Sequence, residues 1–211
     1  MTANMDQALL GTLCETDEGE GAWLWDAAGG TMIKFNKDGT GTLRCGVEML
    51  RWIAAEFEWK PLGPWIEGAS SGGGSGSSSD AKTLGQLDIE LTLTKRAIER
   101  HGHINEKLLT EDAFLPKKYT VRLEQGKFMA PAYKLAKGRK SYATTKYALR
   151  LVFDKSPIPP RKEWKDEEAL AVDRCRVWEW DEFVYRGLPK EEGWASVITE
   201  WTSPLIALFR S

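Results

Sequence analysis

Apolar residues fall at every second position in five separate stretches of the chain, with mostly polar or charged residues between them. The alternating positions are Ile33 and Phe35; Ala55, Phe57 and Trp59; Leu87, Ile89, Leu91 and Leu93; Tyr119, Val121 and Leu123; and Tyr147, Leu149, Leu151 and Phe153. A period of two is that of a β-strand with one buried face. Asp38-Gly39 stands between the strands predicted at 32–36 and 40–45, and this pair favours a tight hairpin. The pattern therefore predicts an antiparallel sheet.

The segments between and after these strands predict short helices, turns and further strands. Gln125-Gly126 predicts a turn, after which Phe128 begins a return strand. The predicted helices or irregular segments are residues 4–13, 95–112 and 162–171, and the predicted closing strands are residues 177–185, 196–202 and 205–210.

Together these elements predict an all-β fold, an antiparallel up-and-down β-barrel of about nine or ten strands. A short N-terminal helix and one or two short peripheral helices accompany the barrel. The length of 211 residues suits one domain, residues 1–211. Residues 68–80 include the run SSGGGSGSSS, whose composition predicts a flexible loop within that domain.

A short motif precedes the first strands. Gly21-Ala22-Trp23 is followed by a strand, the Asp-Gly hairpin and an aromatic strand. This order resembles the opening of the lipocalins and of the wider calycin group, which includes the fatty-acid-binding-type barrels. The resemblance implies that an arginine of the last strand, here Arg210, lies across the Trp23 ring; the alternative is a solvated C-terminal arginine. The family's Thr-Asp-Tyr motif is not visible in this sequence.

The lipocalin resemblance also implies a pocket for a small hydrophobic or aromatic molecule. Ten tryptophans are present, and they would either line such a cavity or fill the barrel core. The predicted ligand-binding residues, taken from the inward positions and their polar neighbours, are Phe35, Arg44, Phe57, Trp59, Leu91, Tyr147, Leu149, Leu151, Trp178 and Trp180.

An enzyme on the same scaffold is the alternative hypothesis. A carboxyl group that faces an apolar cavity has a raised pKa and can act as a general acid or base in an isomerase or cyclase. Glu179, Glu48 and Asp26 are the candidate catalytic residues, since they lie in or near tryptophan-rich strands. The competing interpretation of each is a charge on the outer face of a strand.

Other classes of function have little support in the sequence. The net charge of −2 and the short, interrupted basic run at 134–146 give no reason to expect a nucleic-acid partner. No phosphate-binding loop occurs. His101 and His103 lack a convincing third ligand, so we predict no metal site and no cofactor.

The compartment is predicted from the N-terminus and the cysteines. No signal-peptide pattern or membrane span is present, and three cysteines without CxxC spacing fit free thiols in a reducing environment. Secreted lipocalins commonly carry a disulfide, so the chain departs from them here. We therefore predict a cytoplasmic protein, whose oligomeric state the sequence leaves open.

Overall fold

The computed structural model describes residues 2–14, 21–47, 50–68, 81–98, 104–135, 145–165 and 170–189. Within them, the β-strands are β1 Trp23–Leu24, β2 Met32–Phe35, β3 Thr40–Val47, β4 Leu50–Pro61, β5 Ile66–Glu67, β6 Lys82–Ala97, β7 Lys117–Met129, β8 Lys146–Phe153 and β9 Glu182–Gly187. The α-helices are α1 Thr2–Leu13, α2 Ile104–Leu108, α3 Pro131–Leu135 and α4 Leu170–Cys175. Short 3₁₀ turns lie at Glu111–Phe114, Arg161–Glu163 and Val177–Glu179. None of the described helices is long and apolar enough to cross a membrane.

The strands form one antiparallel sheet that closes into a ring. Its order is β4-β3-β2-β1-β9-β8-β7-β6-β5, and β4 also pairs with β6. Eight strands therefore close the ring, while β5 pairs only with β6, at Gln86 and Gly85. This arrangement confirms the predicted all-β, up-and-down, barrel-like fold with a short N-terminal helix.

The interior of the ring is a continuous hydrophobic core. The alternating apolar residues of β2, β4, β6, β7 and β8 are buried, so the period of two predicted their inner faces correctly. On β9 the two buried residues, Phe183 and Val184, are consecutive. The Phe35 ring lies 5.3 Å from the Phe57 ring and 5.2 Å from the Trp59 ring, both edge to face. At these separations aromatic rings are in contact.

Helix α1 packs against the end of the ring where β1 and β6 begin. The Trp23 indole N–H donates a hydrogen bond of 3.0 Å to the backbone oxygen of Leu13. At Gly85 a Cβ atom would come within 2.9 Å of the Leu9 side chain, so a glycine permits this close approach. The N-terminal helix is thus tied to the sheet by Leu9, Leu13 and Trp23.

Two predicted elements differ in the structure. Gln125-Gly126 is not a turn, because β7 continues to Met129 and its pairing with β8 shifts register between Gln125 and Phe128. A Cβ on Gly126 would lie 2.9 Å from the Phe128 ring, so the glycine accommodates a bulge and not a reversal.

The stretch 177–185 is not one strand either. Arg176 has φ 49°, Val177–Glu179 forms a 3₁₀ turn, and the strand begins only at Glu182. Trp180 stacks on Trp25 with ring centroids 3.6 Å apart. The spacing of Trp178 and Trp180 matches the period of a strand, although the segment is a 3₁₀ turn. The position of Trp180 is instead determined by its contact with Trp25.

Candidate functional site

A cleft of about 500 Å³ opens on the outer face of β1, β2 and β3. We call it the Lys34–Arg44 cleft; its lining residues are Gly21, Ala22, Leu24, Ala27, Ala28, Gly29, Met32, Lys34, Thr42 and Arg44. The sequence places these side chains outside, because Ile33 and Leu43 occupy the inner face at the neighbouring positions. Met32 pairs with Arg44 and Lys34 with Thr42, so the four side chains form adjacent rows.

Two cations of the cleft have no acidic partner among the residues that the structure describes. Neither Lys34 nor Arg44 forms an ion pair there, and the Nε atom of Arg44 is buried without a hydrogen-bond partner. A buried donor left unpaired costs about 1–3 kcal/mol. An anion bound in the cleft would offer the Arg44 guanidinium an acceptor of opposite charge.

Many other cations of the barrel are paired, and Lys34 and Arg44 differ from exposed unpaired cations such as Lys118 in being half-buried. The pairs are Lys60–Glu90, Lys95–Glu111, Arg96 with Glu56 and Glu58, Lys117–Glu163, Arg122–Glu124, Arg150 with Glu124 and Glu182, Arg161–Asp173 and Arg176–Glu179. Glu56 lies opposite Thr42 in the sheet, but its carboxylate is bound to Arg96. The described lining of the cleft therefore carries two positive charges and no carboxylate.

The loop that forms one wall of the cleft is organised by Asp26. Its Oδ1 accepts hydrogen bonds from the backbone N–H groups of Ala28 and Gly30, and its Oδ2 accepts one of 2.7 Å from Thr31. Gly29 takes φ +69°, and its N–H donates to the Asp26 backbone oxygen. Because these four N–H groups are used within the loop, side chains must provide the donors for a ligand.

Thr31 joins this loop to strand β3. Its hydroxyl donates to the Gly46 backbone oxygen at 2.9 Å and accepts from the Gly46 N–H at 3.0 Å. Arg51 also donates to the Gly30 oxygen. The loop is thereby fixed relative to Arg44, two residues from Gly46 on the same strand.

The remaining lining of the cleft is apolar. Leu24 and Met32 are half-buried neighbours in the sheet, and Ala22, Ala27 and Ala28 lie around them. The cleft thus combines cationic and hydroxyl groups with an apolar floor. Such a surface can bind a molecule that has both an anionic group and an apolar part.

Most of the predicted interior ligand residues lie in the main hydrophobic core. These are Phe35, Phe57, Trp59, Leu91, Leu149 and Leu151, all at most 7% exposed. Trp59 also donates its indole N–H to the backbone oxygens of Asn36 and Thr40. Their packing against one another accounts for the burial, and a role in ligand binding stays a prediction.

The other four predicted ligand residues are Arg44, Tyr147, Trp178 and Trp180, of which Trp180 also belongs to the main core and Trp178 packs against it. Arg44 lines the outer cleft, while Tyr147 belongs to a smaller cluster with Phe128, Ala130 and Val184. Trp178 is half-buried in a 3₁₀ turn. Trp180 is buried against Trp25, and the structure does not bring these four together with one another.

The predicted catalytic carboxylates have structural partners or lie outside the described residues. Asp26 accepts three backbone hydrogen bonds, and exposed Glu179 pairs with Arg176. Glu48 lies outside the described residues. The catalytic role of all three stays a prediction, without a specific contact that favours it.

Several further predictions fall on residues that the structure does not describe: Arg210, His101, His103, the Gly/Ser run and the last two strands. The predicted contact between Trp23 and Arg210 therefore stays a prediction. In the described residues the Trp23 ring lies 5.4 Å from that of Tyr185. No group of three or more His, Cys, Asp or Glu side chains suited to a metal occurs in the described part of the chain.

The cysteines are free, as predicted. Cys14 and Cys45 are buried and Cys175 is half-buried. Burial raises the pKa of the Cys14 thiol to about 11 and also raises that of Cys45. These two thiols therefore stay protonated at neutral pH and are poor nucleophiles.

Sequence reasoning missed Lys34, Met32 and Leu24 as candidate ligand contacts. The signal was present in the alternation of 32–35, which places Met32 and Lys34 together on the outer face. The predicted ligand residues came mainly from the inner face, where Met32 and Lys34 do not lie. Leu24 had no signal of its own, since β1 has just two residues.

Comparison of the chain with protein-family models, with curated proteins and with solved structures finds no match. The barrel-like fold is therefore established from the structure alone, and membership of the lipocalin or calycin group stays a resemblance in sequence motif.

Proposed function

We propose that this protein binds a small apolar or aromatic molecule that carries an anionic group, and that the Lys34–Arg44 cleft is the site. The observation that supports this most is the pair of cations without acidic partners among the described residues, one of which has a buried Nε atom with no hydrogen-bond partner there. The apolar floor of Leu24 and Met32 would contact the rest of the ligand.

The barrel interior is a weaker candidate for the site. Phe35, Phe57 and Trp59 pack against one another there, and Phe35 and Phe57 have no exposed surface. The isomerase or cyclase hypothesis stays a prediction from sequence, since the contacts of Asp26 and Glu179 are those of structural residues.

The test measures binding of 8-anilinonaphthalene-1-sulfonate, an aromatic anion, by fluorescence titration. Arg44→Met and Lys34→Met each remove one cation while keeping a long side chain. A hydrogen bond to a charged group contributes about 1.5–3 kcal/mol, so each change should weaken binding by roughly tenfold or more. Rising salt should weaken binding to the wild type.

Matched controls remove a positive charge elsewhere. Lys118 on β7 and Arg174 on α4 are both exposed and lie outside the cleft. Lys118→Met and Arg174→Met should bind the probe as the wild type does. If Arg44→Met and Lys34→Met also bind unchanged, while circular dichroism shows that they are folded, the proposal is wrong.

A further inference from the structure

A second cleft adjoins the first across strand β1. It has a volume of about 610 Å³, and we call it the Tyr147 cleft; it is lined by Ala22, Leu24, Thr145, Tyr147, Tyr185, Arg186 and Gly187. Ala22 and Leu24 line both clefts. The two clefts therefore meet at the outer face of β1.

The sheet register gives this combined groove a direction. Arg44 pairs with Met32, Met32 with Leu24, and Leu24 with Val184. A cation is thus followed by three apolar side chains in one row. Since neighbouring strands lie about 4.8 Å apart, the row extends about 14 Å from β3 to β9, and β8 lies about 19 Å from β3.

The row continues from Val184 to Arg150 of β8, which is ion-paired with Glu124, whereas the Tyr147 cleft beside Leu24 is mainly apolar and aromatic. Val184 is buried in a small cluster with Phe128, Ala130 and Tyr147, against which Leu24 packs. Thr145 and Tyr185 complete that side of the cleft. Arg186 is the one charged residue in its described lining, and its guanidinium lies 6.0 Å from the Tyr185 ring.

We infer that the ligand is an elongated amphipathic anion with an unbranched apolar chain. Lys34 and Arg44 bind its anionic head group. The apolar chain crosses β1 over Met32 and Leu24 and enters the Tyr147 cleft. This inference rests on the proposed function and adds the shape and chemical class of the ligand. A compact aromatic anion would occupy the first cleft alone. The occupant is a dissolved monomer, because the row lies in a groove and not on a protruding apolar surface.

The experiment measures the affinities of hexanoate, decanoate and tetradecanoate by calorimetry, below their micelle concentrations. Affinity should rise about threefold to fourfold for each methylene that the groove buries. Tetradecyltrimethylammonium, which has the same chain and the opposite charge, should bind at least tenfold more weakly than tetradecanoate.

Thr145→Trp tests the far end of the groove, since the larger side chain would fill the Tyr147 cleft. It should weaken tetradecanoate binding at least tenfold and leave hexanoate binding unchanged. Thr92→Trp is the matched control, because Thr92 lines a different outer cleft beside Glu58 and Glu90. If Thr145→Trp fails to fold, the chain-length series on the wild type still decides the question.

The outcomes separate the two proposals. Equal affinity for the three carboxylates, still weakened by Arg44→Met, overturns the elongated ligand and leaves the proposed function standing. If affinity grows with chain length but is the same in Arg44→Met and Lys34→Met as in the wild type, the proposed function itself is overturned. Binding to phosphatidylglycerol vesicles without binding of monomeric tetradecanoate overturns the inference in favour of a membrane surface.

Discussion

The side-chain amide of Asn105 pairs with both backbone groups of Ala54. Asn105 donates from Nδ2 to the Ala54 oxygen at 2.7 Å and accepts at Oδ1 from the Ala54 N–H at 2.9 Å. The pairing of β4 with β6 extends only to Ala55 and Ala97, so Asn105 of α2 continues the hydrogen bonding where β6 ends. The closure of the ring thus depends partly on one buried side chain, 2% exposed.

Asn105→Leu should therefore destabilise the protein. It leaves a buried N–H and a buried C=O of Ala54 without partners, and each such group costs about 1–3 kcal/mol. Urea unfolding should therefore show that the free energy of unfolding falls by roughly 2–5 kcal/mol when both Ala54 groups lose their partner. Asn36→Leu, which removes a bond to Thr40 in a half-buried turn, is the control and should cost much less. Equal losses in the two variants would contradict the role assigned to Asn105.

Asp26 should behave as a structural residue. Asp26→Ala removes the acceptor of three backbone N–H groups and should lower the free energy of unfolding by about 1–3 kcal/mol, and Asp26→Asn by less. Asp88→Ala, which removes an exposed acceptor of the Thr120 hydroxyl, should change stability by under about 1 kcal/mol. Thermal unfolding compares them. An Asp26→Ala protein as stable as the wild type would revive the catalytic hypothesis for this carboxylate.

Glu124 should make stability depend on pH. Burial raises the pKa of its carboxyl, but Arg122 and Arg150 more than offset this and hold the pKa below its usual range. A lowered pKa stabilises the fold above the unfolded value of about 4.3, and this contribution is lost as pH falls through the folded pKa. Glu124→Gln should thus cost about 1.5–3 kcal/mol at pH 7 and progressively less on acidification.

The control for that series is Glu90→Gln, since Glu90 pairs with the largely exposed Lys60. An exposed ion pair contributes under about 1 kcal/mol, so its variant should unfold much as the wild type does across the pH range. If the free energies of unfolding of the wild type and Glu124→Gln differ by the same amount down to low pH, the charge of the Glu124 carboxylate is not the cause of the stability difference.

The stacked indoles of Trp25 and Trp180 should give an exciton couplet in circular dichroism, because their ring centroids lie 3.6 Å apart with planes inclined by 14°. Trp180→Phe should abolish the couplet at modest cost in stability, since the Trp180 indole N–H has no hydrogen bond to lose. Trp180→Ala should cost about 3–5 kcal/mol. Trp178→Phe is the control and should retain the couplet; its loss in that variant would contradict the assignment.

Local pattern was sufficient to predict most of the strands and their inner faces. Successive side chains of a strand point to opposite sides, so Ile33 and Phe35 had to share one face whatever the partner strand. The Asp38-Gly39 hairpin was equally local: Gly39 takes φ +85°, and the Asn36 N–H donates to the Thr40 oxygen. The antiparallel, up-and-down sheet followed from repeating this reasoning along the chain, although β5 was not predicted.

Only the tertiary structure decided which residues meet across the sheet. Among the described residues Lys34 and Arg44 lack acidic partners, and the nearby Glu56 instead binds Arg96 of β6, which follows it by forty positions in sequence. Tyr147 and Leu24 line one cleft because the last strand returns beside the first. Such relationships depend on the register between strands that are distant in sequence, and the period of hydrophobic residues along one strand does not encode that register. The face on which each side chain lies is different, because it is set by the immediate neighbours in the same strand.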